Sequence, residues 1–150
     1  MILSIAAIAS GRHPSLLRPS DGRPAAHEEP ELRMIGYWWD GDHERRWPDV
    51  RDFVDPERHE DERELTARWV RHGLVSRSRM GTARCRFCEA PNGYRELTDG
   101  VYLWPEGLAH DVVDPDVRLP ETFVRHVQLM RADVEQAERS SSWWTQQIRT

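Results

Sequence analysis

Lysine is missing altogether: the 21 basic residues of this 150-residue chain are all arginine, set against 26 Asp and Glu for a formal charge of −5. A net acidic chain has no bulk attraction for nucleic acid or an anionic membrane. Cysteine is nearly missing too, and two residues are too few for a disulfide scaffold. No apolar run approaches the roughly 20 residues of a spanning helix, which argues against a membrane protein. The apolar start, Met1 to Ala9, lacks the basic flank of a signal peptide, so a cytoplasmic location is expected. Walker A, G-x-G-x-x-G and G-x-S-x-G motifs are all absent, and with them the usual phosphate cradles and the nucleophile elbow. There is no repeat of fixed period.

What remains is 38% hydrophobic and 31% charged, the composition of one small domain. Four prolines with Gly, Ser, Arg and His between Ala9 and Arg33 cannot bury enough surface to offset ordering. Residues 1–33 are therefore expected to be a disordered extension, with Met34 as the natural start of a 34–135 α+β domain and 136–150 as a flexible tail. Asp55-Pro56-Glu57 reads as a helix N-terminus, predicting a helix from Pro56 to His72 with Leu65 and Trp69 on its apolar stripe and Gly73 beyond its end. Val75 to Met80 predicts a strand with Arg77 and Arg79 on one face. Tyr94–Thr98 and Val101–Trp104 flank Asp99-Gly100, a two-residue hairpin signal. A short helix is expected from Pro105 to Val113, and another from about Pro120 with Phe123, Val124, Val127 and Met130 or Leu129 inward.

Cys85 and Cys88 form a C-x-x-C that, without a secretory context, points to a metal or to redox chemistry. Reduced thiols packed as small apolar groups are the bland alternative, and the redox reading lacks a surrounding βαβ unit. Knuckle, hairpin and then a helix bearing His110 is the element order of a treble-clef-like zinc fold. Zinc wants four tetrahedral ligands: Cys85, Cys88 and His110 supply three. The fourth is open among Asp111, Asp114 and Asp116, with His126 and His72 on other helices as further candidates.

Cys85-Arg86-Phe87-Cys88, Asn92-Gly93, Leu97-Thr98-Asp99-Gly100, Trp104-Pro105-Glu106-Gly107-Leu108-Ala109-His110 and Val117-Arg118-Leu119-Pro120 resemble, as a set, a family of small uncharacterised bacterial proteins. Gly36-Tyr37-Trp38, Trp47-Pro48 and Phe53-Val54-Asp55-Pro56 resemble its N-terminal half, so the likeness spans Met34 to His126. The resemblance implies no particular activity. It does imply a Cys-x2-Cys…His-x4-His set, and here the second histidine position holds Pro115.

An open fourth position is also what a catalytic zinc has, so a zinc-dependent hydrolase with Glu106 as base is one alternative; a first-turn acid favoured by the helix dipole is the plainer account of Glu106. A deaminase signature is met only by His27-Glu28-Glu29 in the extension, with Arg84 where a proline should precede Cys85. Arg77, Arg79, Arg84 and Arg86 make a local basic segment that suits nucleic acid, though a solvated strand face pairing with the acids Glu57 to Glu64 is favoured. Seven tryptophans are many for this length. Trp69 and Trp104 are expected in the core with partners for their indole N–H groups, and some of Trp38, Trp39 and Trp47 on a contact surface. Trp143 and Trp144 stand in the tail as a docking peptide or a frayed end. These features point to a non-catalytic binding module with a structural zinc and a protein partner, immunity and antitoxin roles being the kind that suit its size and acidity, with no membrane partner and the oligomeric state open.

Overall fold

The computed structural model describes residues 31–41 and 46–148, so the disorder expected over 1–33 falls, but for its last three residues, outside the described residues. The architecture is α+β. Four strands, β1 (Arg33–Met34), β2 (Leu74–Ser78), β3 (Arg95–Thr98) and β4 (Tyr102–Pro105), form one mixed sheet in the order β1-β4-β3-β2. The β1–β4 pair is parallel and the other two are antiparallel. Helices α1 (Glu60–Arg71), α2 (Leu108–Val113) and α3 (Glu121–Gln136) supply the apolar cover, and a single turn, α4 (Ser142–Thr145), lies in the tail.

The hairpin forms as its Asp-Gly signal predicts, but over a wider turn. Thr98 and Leu103 are the last paired positions. Side chains replace the missing ladder bonds: Asp99 Oδ1 accepts from the N–H groups of Val101 (2.9 Å) and Tyr102 (2.8 Å), while Thr98 Oγ1 accepts from Gly100 N–H and donates to Tyr102 O. Gly100 takes the left-handed backbone this turn needs (φ 92°).

Helix α1 begins at Glu60 rather than Pro56. Asp55 spends its carboxylate on Glu57 N–H (3.2 Å), closing a turn that precedes the helix instead of capping it. The buried face is Thr66, Ala67 and Val70, with Leu65 and Trp69 only partly covered. Pro105 ends β4, so α2 starts three residues later than expected. In α3 the inward face is Phe123, Val124 and Val127, while Leu129 and Met130 are exposed.

Trp104 is the centre of the core. It is fully buried, its Nε1 donates to Val70 O (2.8 Å), and its ring meets Phe123 edge-on. Around it lie Leu97, Leu108, Val112 and Val127. Gly73 follows α1 because a Cβ there would sit 2.6 Å from the Trp104 ring and 3.0 Å from Leu97 Cβ; close approach, not a left-handed backbone, selects it. Among the described residues no helix is long and apolar enough to cross a membrane.

Candidate metal centre

Backbone hydrogen bonds shape the knuckle. Ala83 N–H donates to Gly93 O (2.8 Å), Asn92 N–H to Ala83 O (2.7 Å) and Cys85 N–H to Ala90 O (3.0 Å), folding the segment back on itself. Glu89 N–H returns to Cys85 O (3.0 Å) with Glu89 in the left-handed region (φ 56°). The loop so formed aims Phe87 N–H at Cys85 Sγ (3.4 Å), a donor that favours thiolate over thiol. Burial pushes the Cys85 thiol up, against the pull of the Cys88 and Phe87 N–H groups.

Helix α2 brings the third donor. His110 Nε2 lies 3.3 Å from Cys88 Sγ, and the donor atoms of Cys85, Cys88 and His110 all lie within 4.8 Å of one another. Bond lengths of about 2.3 Å to sulfur and 2.0–2.1 Å to nitrogen put tetrahedral S and N donors roughly 3.5 Å apart, so the group has the spacing a metal ion needs. Cys85 is buried and Cys88 exposed, leaving one side of the group open to solvent.

The three aspartates diverge. Asp111 is 4% exposed and fully engaged: Oδ2 accepts from Trp38 Nε1 (2.9 Å), and Oδ1 accepts from Asn92 Nδ2 (3.2 Å) and lies 3.8 Å from Cys85 Sγ. Burial pushes its carboxyl up despite those donors. It backs Cys85 and is not one of the converging donors. Asp116 pairs with Arg63 (2.6 Å). Asp114, one turn beyond His110, holds Oδ2 3.9 Å from His110 Nε2 and is largely exposed. His126 bonds Asp99 (2.8 Å) and His72 bonds Arg68 O (2.8 Å), so both are committed elsewhere.

Glu106 precedes α2 and ties it to β3. Its carboxylate accepts from Tyr94 N–H (3.1 Å), Arg95 N–H (3.3 Å) and Arg95 Nε (2.9 Å), and pairs with Arg95 Nη2. The Arg95 guanidinium holds this carboxyl below the ordinary range, which makes it a weak base.

The arginines also have local partners. Antiparallel pairing sets Arg77 opposite Glu96, and both Arg77 (Nε, 3.7 Å) and Arg79 (Nε, 3.1 Å) reach that buried carboxylate. The strand face therefore pairs within the sheet and not with the acids of α1. Tyr37 donates its hydroxyl to Glu96 as well (2.9 Å). Arg84 donates to Glu89 O (2.9 Å), and Arg86 is exposed on the knuckle. Of the tryptophans expected on a contact surface, Trp38 instead packs on the core, with its ring 5.3 Å from Phe53.

Asn92 and Trp38, which hold Asp111 behind Cys85, carry no spacing signal of their own. The need of a buried indole for an acceptor was the one available clue. No protein-family model matches the chain, and no curated protein or solved structure matches it.

Proposed function

We propose that this domain is a non-catalytic binding module in which the knuckle and α2 hold one structural zinc ion, with Cys85, Cys88, His110 and Asp114 as its ligands. The observation that carries the reading is the convergence of two sulfurs and an imidazole nitrogen within 4.8 Å, from two elements separated by a hairpin. Mixed Cys and His donors suit zinc and not a hard cation such as Mg²⁺ or Ca²⁺. Asp114 lies within 3.9 Å of the His110 nitrogen and stands beside Pro115, which offers no donor where the resembled family has its second histidine. On this reading the chain is a divergent member of that family with a treble-clef-like centre. Its partner is a protein: Phe87 is exposed on the knuckle with the Arg51 guanidinium 6.0 Å from its ring, residue types enriched at interface cores.

Elemental analysis of untagged protein, followed by cobalt(II) substitution, tests this. One zinc per chain is expected, with a tetrahedral cobalt spectrum showing thiolate charge transfer that Cys88→Ser abolishes and Asp114→Asn weakens. Protein that retains no metal overturns the reading. A bound ion whose affinity ignores Asp114→Asn has an open position, as a catalytic zinc does, but Glu106, held by Arg95, is too weak a base to serve it.

A further inference from the structure

Helix α1, the β2–β3 side of the sheet and the C-terminal half of α3 enclose a groove of about 590 Å³. Its floor carries the indoles of Trp69 and Trp104, and its rim the apolar Leu74 and Val134 with the guanidinium groups of Arg68 and Arg131. Leu74 and Val134 are both exposed, so the groove is uncovered. Elsewhere on the same chain, Trp143 and Trp144 are 68% and 69% exposed, with rings 6.0 Å apart, and Ile148 beyond them is exposed as well. No residue of α4 is buried.

We propose that two copies of this chain exchange their C-terminal segments, the Trp143–Trp144 pair of one seating in the α1–α3 groove of the other. Area supports a dimer. Each tryptophan buries about 150–250 Å², so four of them in a reciprocal exchange cover about 600–1,000 Å². With the smaller area of the groove walls added, the total reaches the low end of the roughly 1,200–2,000 Å² of a stable interface.

Reach and symmetry agree with it. Val134 and Glu135 line the groove and α3 ends at Gln136, so the tail departs from the lip. The seven residues from there to Trp143 span at most roughly 25 Å, enough to leave one molecule and enter its neighbour. Reciprocal exchange is isologous, so it closes at two copies. The rim arginines are paired with Glu64 and Glu135 (2.6 Å each), so an incoming indole meets ion pairs at the rim and apolar side chains on the floor. This inference is independent of the metal.

Sedimentation of the full chain tests it. The wild type is expected to be a dimer. A double variant, Trp143→Ala with Trp144→Ala, and a groove variant, Val134→Glu, are each expected to dissociate more than about 100-fold more readily, as hot-spot tryptophans do. All three positions are exposed, so circular dichroism should show both variants folded. Mixing them should restore a heterodimer, because one keeps the groove and the other keeps the tail. A full chain that is monomeric over the same concentrations overturns the proposal, as does a dimer indifferent to both variants. So does a monomer in which Val134→Glu alters the emission of Trp143 and Trp144, since the tail would then occupy its own groove.

Discussion

Gly107 has ordinary helical dihedrals (φ −68°, ψ −12°), so any residue could adopt its backbone; space is what forbids one. A Cβ there would run into both the side chain and the carbonyl of Asn92. Asn92 is the residue that donates to Asp111 behind Cys85, so the strain passes directly to the knuckle. Gly107→Ala is expected to lose about 1–3 kcal/mol in urea unfolding, the usual range for overpacking, and to weaken metal binding at the same time. An unchanged unfolding midpoint would show that Asn92 yields freely and does not fix the site. At this scale Cys85, Cys88 and His110 were legible because their chemistry is rare and their spacing local. The Trp38–Asp111–Asn92 support was not, because it joins residues from three parts of the chain through a single buried carboxylate.

Asp99 does for the elements what Asn92 does for the knuckle. One carboxylate oxygen closes the hairpin turn, while the other accepts from Trp69 Nε1 of α1 (3.0 Å) and meets His126 Nε2 of α3 (2.8 Å). Burial acts to raise this carboxyl, but the N–H groups of Tyr102 and Val101, with His126 and Trp69, outweigh it and hold it below the ordinary range. A folded value below the unfolded one, about 3.9 for Asp, gives stability that is complete above the unfolded value and drains as pH falls through the folded one. Asp99→Asn turns an amide donor toward groups that also donate. It is expected to cost about 2–3 kcal/mol near neutral pH, with the gap to wild type narrowing below about pH 4. Urea midpoints at both pH values check this, and a gap that persists in acid would mean the charge is irrelevant. The hairpin could be read in advance because its turn chemistry is local. Strand β1 could not: Arg33 and Met34 are a strand only through parallel pairing with Tyr102 and Leu103, far along the chain. The start of α1 was misplaced because Asp55 had two local uses, cap or turn, and nothing local decides between them.

The whole molecule divides its stability unevenly between an apolar core and the knuckle. The core cluster draws on α1, β3, β4, α2 and α3, whereas in 82–93 Cys85 alone is buried. A zinc finger with no such core is unfolded without its ion; here Trp104, Phe123 and their neighbours enclose one another without the metal. On the proposed zinc reading, chelation should therefore loosen the knuckle and leave the sheet and helices folded. A ligand present at about 1,000 times its dissociation constant adds roughly 4 kcal/mol, and each kcal/mol moves the melting temperature of a 60–100-residue domain by about 4–8 °C. A fall of about 16–32 °C follows, with the chelated protein still melting cooperatively. Hydrogen exchange should accelerate at the amides of Ala83, Cys85 and Asn92, which hold the knuckle closed, while the amides of β3 and β4 stay protected. Global unfolding on chelation would show that the ion, and not the packing around Trp104, organises the fold.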